Sequence, residues 1–318
     1  MIQFLQHDLI DKAKWDNSIE RSINGNLYAR SWYLDIVSPS WCALLEGDYE
    51  NVMPLTTSAK IGIKYIMQPY FTQQLGLFFG SMLSEDCLVR FLEAIPTSFK
   101  YIDINLNSSN QVHNGYDVSE MTNLELDMSQ DYKVLFSNYQ TNLQRNLKKA
   151  AQNGLRLAKG VKPQDIISLF RQNKGKELGH LGNEQYALIG RIADALISRN
   201  MGETWGAYSN QGELIAGILW AKSFQKGIFL FSALSNQGKN MNAMPWLIDL
   251  FIQEHAGKTM ILDFEGSNDE GLARFYASFG SRRVIYYRYR RNTLPAFIKH
   301  SLNLWRKSRT TAKKYLNI

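Results

Sequence analysis

The sequence predicts a mixed α/β protein in which helices cover both faces of mixed β-sheets. Short apolar runs of strand length are separated by turn residues and followed by helical segments, and this order of elements occurs twice. Antiparallel strands that lead into a helix and then another strand are typical of a mixed sheet. With 318 residues, 45% hydrophobic and 20% charged, the chain is long enough for two cores and too apolar for global disorder.

The first half contains a helix, three strands, a second helix and two further strands. They are predicted, in that order, over residues 9–23, 41–46, 52–56, 61–68, 84–94, 101–106 and 124–128. Gly47 and Asp48 supply the turn between the first two strands, and Ser84 is a good N-cap for the second helix.

The second half contains three helices, three strands, a helix, a strand, a short helix and a last strand. They are predicted over residues 132–153, 163–173, 184–198, 204–208, 214–221, 227–233, 243–255, 259–264, 270–278 and 283–289. The recurring order predicts one domain over residues 1–130 and a second over residues 131–295, followed by a basic helix over residues 296–318.

Positive charge is concentrated near the C-terminus. The formal net charge is +7, and residues 271–318 contain many Lys and Arg residues but no Asp or Glu. Such a surface attracts phosphate-bearing partners such as RNA, anionic lipid or a phosphorylated substrate. A solvated, solubilising tail that packs its apolar stripe on the first domain is the alternative, and the sequence leaves both open.

Cysteine usage predicts the compartment. Cys42 and Cys87 lie far apart without metal-ligand spacing, which favours a reducing cytoplasm and no metal site. The N-terminal residues show no signal-peptide pattern. The uncharged stretch over residues 65–84 contains Gln68, Pro69 and Gly76, so it predicts a strand and loop and not a transmembrane helix. The basic tail leaves a peripheral position at the inner membrane face open.

The segment over residues 236–242 is a candidate anion site. It joins a buried strand to a helix with Asn242 as its N-cap, and a helix N-terminus offers free N–H groups to a pyrophosphate. The predicted cofactor-binding residues are Leu234, Asn236, Gly238, Lys239, Asn240 and Asn242. The alternative is an ordinary strand-to-helix turn without a ligand.

Two carboxylates follow the next strand. Strand periodicity places Asp263 and Glu265 on one face, with Phe264 on the other. Mutual repulsion would raise one pKa and produce a usable base. Alternatively, Asp263 pairs with an arginine and Glu265 caps the following helix.

The C-terminal motifs resemble the closing segment of FemAB-like proteins of the GNAT superfamily. Asp-Phe-Glu-Gly-Ser at residues 263–267 and Gly-Leu-Ala-Arg-Phe-Tyr at residues 271–276, followed by Phe-Gly at 279–280, are similar to the family's Tyr-Asp-Phe-x-Gly strand and Gly-Leu-x-x-Phe-Lys…Phe-Gly helix. Residues 139–155 resemble the arginine-bearing helix that opens the second domain there. Arg30-Ser31-Trp32 and the Gln68-Pro69…Gly76 region resemble parts of the first.

The resemblance implies two tandem GNAT-type acyl-CoA N-acyltransferase folds and transfer of an acyl or aminoacyl group to an amine. It implies no tightly bound cofactor, acyl-CoA or aminoacyl-tRNA as co-substrate, and a peptidoglycan precursor as an acceptor. The implied catalytic residues are Glu265 or Asp263 as base and Tyr276 as acid, with oxyanion-binding N–H groups near residues 234–236. Substrate binding is expected from Arg145, Lys148 and Arg274.

One departure from the family pattern keeps a second hypothesis open. The acetyl-CoA loop of GNAT enzymes has two glycines where this chain has Asn240 and Asn242. Asparagine tolerates the backbone shape, but its side chain would crowd a pyrophosphate. The alternative function is therefore a non-catalytic GNAT-fold module that binds RNA or anionic glycolipid through a basic surface.

Overall fold

The computed structural model describes residues 1–60, 62–81, 86–111, 115–177, 181–266 and 268–295. The chain forms two compact units. Unit 1 comprises Met1–Thr122 and a returning segment that begins at Ile285, and unit 2 comprises Asn123–Val284. The predicted limits are residues 130 and 295. The limits between the two units instead fall inside two strands, over residues 117–127 and 282–292, where no linker marks them in the sequence. The predicted helix over residues 296–318 lies outside the described residues.

The strands and helices are numbered in chain order. The strands are β1 Ile2–Leu5, β2 Cys42–Glu46, β3 Asn51–Leu55, β4 Thr57–Lys60, β5 Ile63–Met67, β6 Phe78–Phe79, β7 Phe99–Asn105, β8 Asp117–Asp127, β9 Arg156–Lys159, β10 Gly202–Tyr208, β11 Leu214–Ser223, β12 Lys226–Leu234, β13 Ile261–Asp263 and β14 Arg282–Asn292. The α-helices are α1 Lys12–Arg21, α2 Ser31–Val37, α3 Asp86–Ala94, α4 Tyr132–Ser137, α5 Thr141–Gln152, α6 Pro163–Gln172, α7 Lys174–Glu177, α8 Asn183–Ser198, α9 Asn236–Asn240, α10 Ala243–His255 and α11 Glu270–Ala277. Two 3₁₀ turns occupy His7–Leu9 and Leu27–Ala29.

Unit 1 is built from two sets of paired strands. The first is an antiparallel sheet in the order β1-β2-β3-β6, and the second has the order β4-β5-β7-β14 with β5 and β7 parallel. Helix α3 buries Phe91 and Leu92 in a core that also contains Leu44, Met53 and Ile102. The amphipathic pattern of α3 explains this packing, because its apolar residues recur at helical spacing.

The uncharged stretch of unit 1 is a strand followed by a buried loop, as predicted. Backbone groups in such a loop need partners, and amide side chains supply them. Gln68 Oε1 accepts from the Asn105 N–H at 3.0 Å, and Asn107 Nδ2 donates to the Leu75 carbonyl at 2.9 Å. No helix in the described ranges is long and apolar enough to span a membrane.

Unit 2 has a mixed sheet in the order β8-β13-β12-β11-β10-β9. Strands β12 and β13 are parallel, and the other neighbouring pairs are antiparallel. Helix α10 lies on this sheet and buries Leu247, Phe251 and Ile252 against Trp205 and Trp220. The mixed α/β class with its mixed sheets is thus confirmed.

The predicted helix over residues 132–153 is wrong in one respect, because it is two helices. Helix α4 ends at Ser137 and α5 begins at Thr141, although no Gly or Pro separates them. Packing imposes the break. The Gln140 N–H donates to the Ser278 carbonyl at 2.9 Å, and the Tyr139 ring contacts Phe279 edge to face at 5.4 Å.

Candidate functional site

The central feature of unit 2 is the divergence of β12 from β13. Their pairing ends at Ile228 and Asp263, whereas β12 continues to Leu234. A bulge at Leu230 bends β12 just beyond this point, because Leu219 faces Phe231 and Trp220 faces Phe229. Among the described residues, the last part of β12 therefore has no strand partner on its β13 side.

The chain leaves the sheet immediately after β13. The Phe264 N–H still donates to the Leu124 carbonyl of β8 at 3.0 Å. Glu265 and Gly266 then adopt left-handed conformations, with φ of +56° and +60°. This backbone costs a non-glycine residue about 1 kcal/mol, so other contacts must stabilise it. Strand periodicity stops at Asp263, so the period-two geometry that predicted a shared face for Asp263 and Glu265 does not extend to Glu265.

Asp263 lies in a buried network of charged and amide groups. Its Oδ1 accepts from the Glu265 backbone N–H at 2.8 Å and from Asn123 Nδ2 at 3.0 Å. Its Oδ2 lies 3.0 Å from the Lys226 ammonium, which also contacts Glu125 Oε1 at 2.6 Å. Burial lowers the pKa of Lys226, but the charges of Asp263 and Glu125 outweigh it and raise that pKa above its usual value. The alternative predicted for Asp263 was an ion pair with an arginine, and its ion-pair partner in the described part of the chain is Lys226.

Glu265 has the opposite surroundings. Its side chain is buried, with only 2% of the residue exposed, and neither carboxyl oxygen has a hydrogen-bond partner in the described part of the chain. Burial alone raises the pKa of this carboxyl well above its ordinary value. The expected pKa rise is thus present, but its cause is desolvation and not repulsion by Asp263. A buried carboxyl that lacks a donor favours a ligand or water that supplies one.

Tyr276 belongs to the aromatic core beside this turn. Its ring stacks on Phe264 with centroids 4.9 Å apart, and it contacts Phe229 of β12 at 5.9 Å. Only 2% of Tyr276 is exposed. The ring thus fixes Phe264 from α11 and holds the backbone between Asp263 and Glu265 in place.

The predicted anion loop over residues 236–242 is largely helical. Ser235 caps α9 by accepting from the Gly238 N–H at 3.0 Å, and its own N–H donates to the Ile215 carbonyl at 2.9 Å. A Cβ at residue 238 would lie 2.2 Å from that carbonyl oxygen. Close packing on β11 therefore requires this glycine, and the Ser235 N–H is not available to an oxyanion. Asn236, Lys239 and Asn240 are exposed, and Leu234 is half-buried.

Asn242 occupies the N-cap position of α10, as predicted. It has the left-handed conformation with φ of +55°, although its side chain makes no capping hydrogen bond. Pro245 lies in the first turn, where its missing N–H costs little.

The predicted substrate-binding cations lie on helix surfaces. Arg145 and Lys148 are exposed on α5, whose opposite face buries Leu143 and Leu147. Arg274 is exposed on α11, and its Nε donates to the Glu270 carbonyl at 3.2 Å. The Gln140 contact with Ser278 joins the start of α5 to the end of α11, so these two helices flank the same corner of unit 2.

Several arginines of the basic C-terminal segment serve unit 1. Arg288 forms a two-point contact with Asp103, at 2.5 and 2.7 Å, and both side chains are largely buried. Arg291 donates to the carbonyls of Leu92 and Ile95 at the end of α3. These charges stabilise the fold and leave less of the predicted positive surface for a partner.

Sequence reasoning missed the partners of Asp263. Asn123 and Glu125 alternate with Leu124 and Leu126 along β8, which is the pattern of a strand whose two faces differ. That alternation was a usable signal. Lys226 follows a hairpin turn and resembles any surface lysine, so its role becomes visible only from the register of β12 on β13.

A second buried polar cluster was also missed. Asp249 is the only acidic residue in α10 before Glu254, and it accepts from Tyr132 and Tyr139 hydroxyls at 3.0 Å and from Gln253 Nε2 at 2.7 Å. The cluster joins α10 to the segment that contains α4. Burial raises the pKa of Asp249, although these three donors oppose the rise.

Comparison with known proteins supports the fold without a sequence match. No protein-family model and no curated protein match the chain. Among solved structures, FemX superposes with a TM-score of 0.63 and 13% identity over 94% of this chain and 99% of FemX. A Bacteroides thetaiotaomicron protein of unknown function gives 0.60 and 11%, over 91% of this chain and 99% of its own.

A third solved structure extends this group. The C-terminal domain of a protein from Agrobacterium fabrum that is named as a lysylphosphatidylglycerol synthetase gives a TM-score of 0.54 and 12% identity, over 92% of this chain and 94% of its own. These likenesses cover nearly the whole of each chain. The chain therefore has the same fold as FemX and as this synthetase domain.

Proposed function

We propose that this chain transfers an acyl or aminoacyl group from an activated donor to an amine acceptor. The observation that carries the proposal is Glu265, a buried carboxyl that lies where β12 and β13 diverge and that accepts no hydrogen bond from any residue the structure describes. The FemAB-like fold supports the reaction class. By its name, the Agrobacterium neighbour makes an aminoacylated lipid, which supports a cell-envelope acceptor here.

The chemistry requires a base of the kind that Glu265 provides. The amine nitrogen attacks the donor carbonyl, a C–N bond forms, and the C–O or C–S bond of the donor breaks. The nitrogen loses a proton to the Glu265 carboxylate, and the leaving oxygen or sulfur takes up a proton as it departs. A carboxylate with a raised pKa is a better proton acceptor than an ordinary one, which favours this step.

The unpaired edge of β12 is the proposed place for the donor carbonyl. Beyond Ile228, no strand in the described part of the chain pairs with β12 on its β13 side, and backbone N–H groups are the hydrogen-bond donors of such a strand edge. Such donors stabilise an oxyanion when they point at it. We place the oxyanion site on this edge and no longer near residues 234–236, because Ile215 already accepts from the Ser235 N–H.

The phosphate-rich part of the donor is proposed to lie on α5. Arg145, Lys148 and Lys149 are exposed there, and no ion pair involves them within the described ranges. We propose acyl-CoA and aminoacyl-tRNA as the two donor classes to test, with Lys239 on α9 and Arg274 on α11 as further exposed positive charges. Tyr276 stays a proposed proton donor to the leaving group.

Thermal-shift and transfer assays test the proposal. We expect one of acetyl-CoA, a longer acyl-CoA or aminoacyl-tRNA to raise the melting temperature and to support transfer to a model amine. Glu265→Gln should keep the thermal shift and reduce transfer by about 10²–10⁴-fold, the range for loss of a general base. Transfer by the unmodified protein should rise with pH as Glu265 ionises.

The outcome that overturns the proposal is specific. Unchanged transfer in Glu265→Gln would exclude Glu265 as the base. Salt-sensitive binding of RNA or anionic glycolipid, without transfer from any donor, would instead establish the non-catalytic binding module.

A further inference from the structure

Asp263 and Glu265 are close in sequence but chemically different in the structure. Each Asp263 oxygen has a partner, and the Lys226 ammonium neutralises its charge. Glu265 has no partner for either oxygen in the described part of the chain. A base must have a free lone pair that faces the proton it takes up. Both Asp263 oxygens already accept hydrogen bonds and its carboxylate is paired with the Lys226 ammonium, whereas no described residue engages either Glu265 oxygen, so Glu265 is the better candidate for the base.

The contact that joins these residues passes through the backbone. Asp263 Oδ1 accepts from the Glu265 N–H at 2.8 Å, a side-chain-to-backbone turn two residues long. This hydrogen bond holds the N–H in the orientation that φ of +56° requires. Glutamate rarely adopts this conformation unless its surroundings impose it. The direction of the Glu265 side chain thus depends on where the Asp263 carboxylate lies.

The position of the Asp263 carboxylate depends in turn on both neighbouring strands. Asn123 and Glu125 approach it from β8, and Lys226 approaches it from β12. Lys226 bridges Glu125 and Asp263, so removal of its ammonium would leave two buried carboxylates close together. Groups held by packed strands are oriented more accurately than groups on loops.

We propose that Asp263 is a positioning residue which, held by Asn123 and Lys226, fixes the left-handed turn at Glu265 and directs the Glu265 carboxyl towards the acceptor amine. This inference rests on the proposed function for its catalytic meaning. It assigns the two carboxylates different tasks: Glu265 takes up the proton, and Asp263 acts only through Glu265.

The test uses Asp263→Ala and Asp263→Asn in the full chain, with Asp127→Asn as the matched control. Asp127 is an acidic residue on β8 whose carboxylate accepts from the Ser129 N–H outside the network. Asp263→Ala should reduce kcat by about 100-fold, whereas Asp263→Asn should stay within about tenfold because its amide oxygen still accepts from the Glu265 N–H. Asp127→Asn should leave kcat unchanged.

A second readout does not depend on activity. In protein labelled with ¹³C at the glutamate carboxyl carbons, the signal absent from Glu265→Gln identifies Glu265. Its titration should move towards that of an ordinary glutamate in Asp263→Ala and remain nearly unchanged in Asp263→Asn. If Asp263→Ala does not fold, Lys226→Met serves instead. It leaves the Asp263 carboxylate able to accept from the Glu265 N–H but removes the ammonium that holds that carboxylate in place. The Glu265 titration should then shift in the same direction as in Asp263→Ala, by a smaller amount.

The outcomes distinguish failure of the positioning role of Asp263 from failure of the proposed transfer function. An unchanged Glu265 titration in Asp263→Ala, or in Lys226→Met where that variant is used, would overturn the positioning role. Equal loss of kcat in Asp263→Asn and Asp263→Ala would make Asp263 itself the base and would also overturn it. Absence of transfer from every donor, together with a Glu265 titration that depends on Asp263, would refute the proposed function but support the positioning role.

Discussion

The backbone N–H of Glu265 lies 2.8 Å from Oδ1 of Asp263, and this contact joins two acidic residues of which one is paired with a lysine and the other is desolvated. Asp263 shares the Lys226 ammonium with Glu125, whereas Glu265 has neither a donor nor a cation within the described ranges. The pair therefore illustrates how two residues of one motif acquire different chemistry from the turn between them.

Glu265→Gln should change the pH dependence of stability. Burial raises the folded-state pKa of Glu265 above its unfolded value, so its contribution is fully present below about pH 4.5 and is lost as pH rises through the folded pKa. Each unit of pKa difference corresponds to about 1.4 kcal/mol. The variant should therefore be more stable than the unmodified protein at pH 8 and similar at pH 4, in urea unfolding at both values. A parallel pH dependence in the two proteins would contradict this.

Gly238→Ala should destabilise the fold even without any ligand. The new Cβ would lie 2.2 Å from the Ile215 carbonyl oxygen and 2.8 Å from Leu234 Cδ1, so β11 or α9 must shift. Overpacking of this kind costs about 1–3 kcal/mol. The measurement is the free energy of unfolding of the ligand-free protein.

Gly190→Ala is the matched control for that substitution. Gly190 lies within α8, and among the described residues its added Cβ would meet Ile167 Cδ1 at an ordinary 3.9 Å and nothing nearer. Helix propensity should then stabilise the protein by about 0.5–1 kcal/mol. If Gly238→Ala leaves stability unchanged but abolishes donor binding, residue 238 is a ligand contact and not a packing position.

Replacement of Arg145, Lys148 and Lys149 by alanine should weaken binding of a phosphate-bearing donor without unfolding unit 2. These side chains are exposed on α5, and surface substitutions usually change stability by less than about 0.5 kcal/mol each. With tRNA as the probe, each lost phosphate contact should reduce the slope of log K against log salt by about 0.7–0.9. Arg191→Ala on α8 serves as the exposed control, and an equal effect there would show that only net charge matters.

Asp249→Asn should remove a second contribution to the pH dependence of stability. Burial raises the pKa of Asp249, so stability from this group is present below its unfolded pKa and is lost as pH rises through the folded one. The asparagine oxygen can still accept from Tyr139, which limits the cost of the substitution. Thermal unfolding between pH 4 and pH 8 should show a shallower decline in the variant. A steeper decline would indicate that the ionised carboxylate stabilises α10.

Long periodic elements were predictable from the sequence. Helix α10 has the predicted bounds, because an apolar helical run follows Asn242 and ends before Gly257. The hairpin strands β10, β11 and β12 were found with end errors of one or two residues, since alternation and turn residues define them locally. Short polar strands such as β4 and β9 were missed, because sheet pairing and not their own pattern makes them strands.

The candidate site was less predictable because its decisive features are not local. Nothing in the sequence marks Glu265 as left-handed, since glutamate has no preference for that conformation. The glycine at position 238 suggested a phosphate-binding loop, but a glycine is required there because the Ile215 carbonyl of β11 leaves no room for a Cβ. The contact of Lys226 with Asp263 and Glu125 follows only from the register of β12 on β13. The sequence therefore singled out residues 263–266 as a candidate site, but it attributed the raised pKa of a carboxyl there to repulsion, whereas burial raises the pKa of Glu265.

Arg288→Met should destabilise unit 1 far more than Arg290→Met, although both arginines lie on β14. Arg288 contacts both carboxyl oxygens of Asp103, of which only 3% is exposed, so its loss leaves a buried charge without its cation. Breaking a buried pair in this way costs about 3–5 kcal/mol. Arg290 lies 4.0 Å from the exposed Asp117, and such a surface pair contributes about 0–1 kcal/mol. Chemical denaturation of both variants measures the difference. Equal small effects would show that the Arg288–Asp103 pair contributes little to stability. Arg288 would then count among the charges that could bind a phosphate-bearing partner.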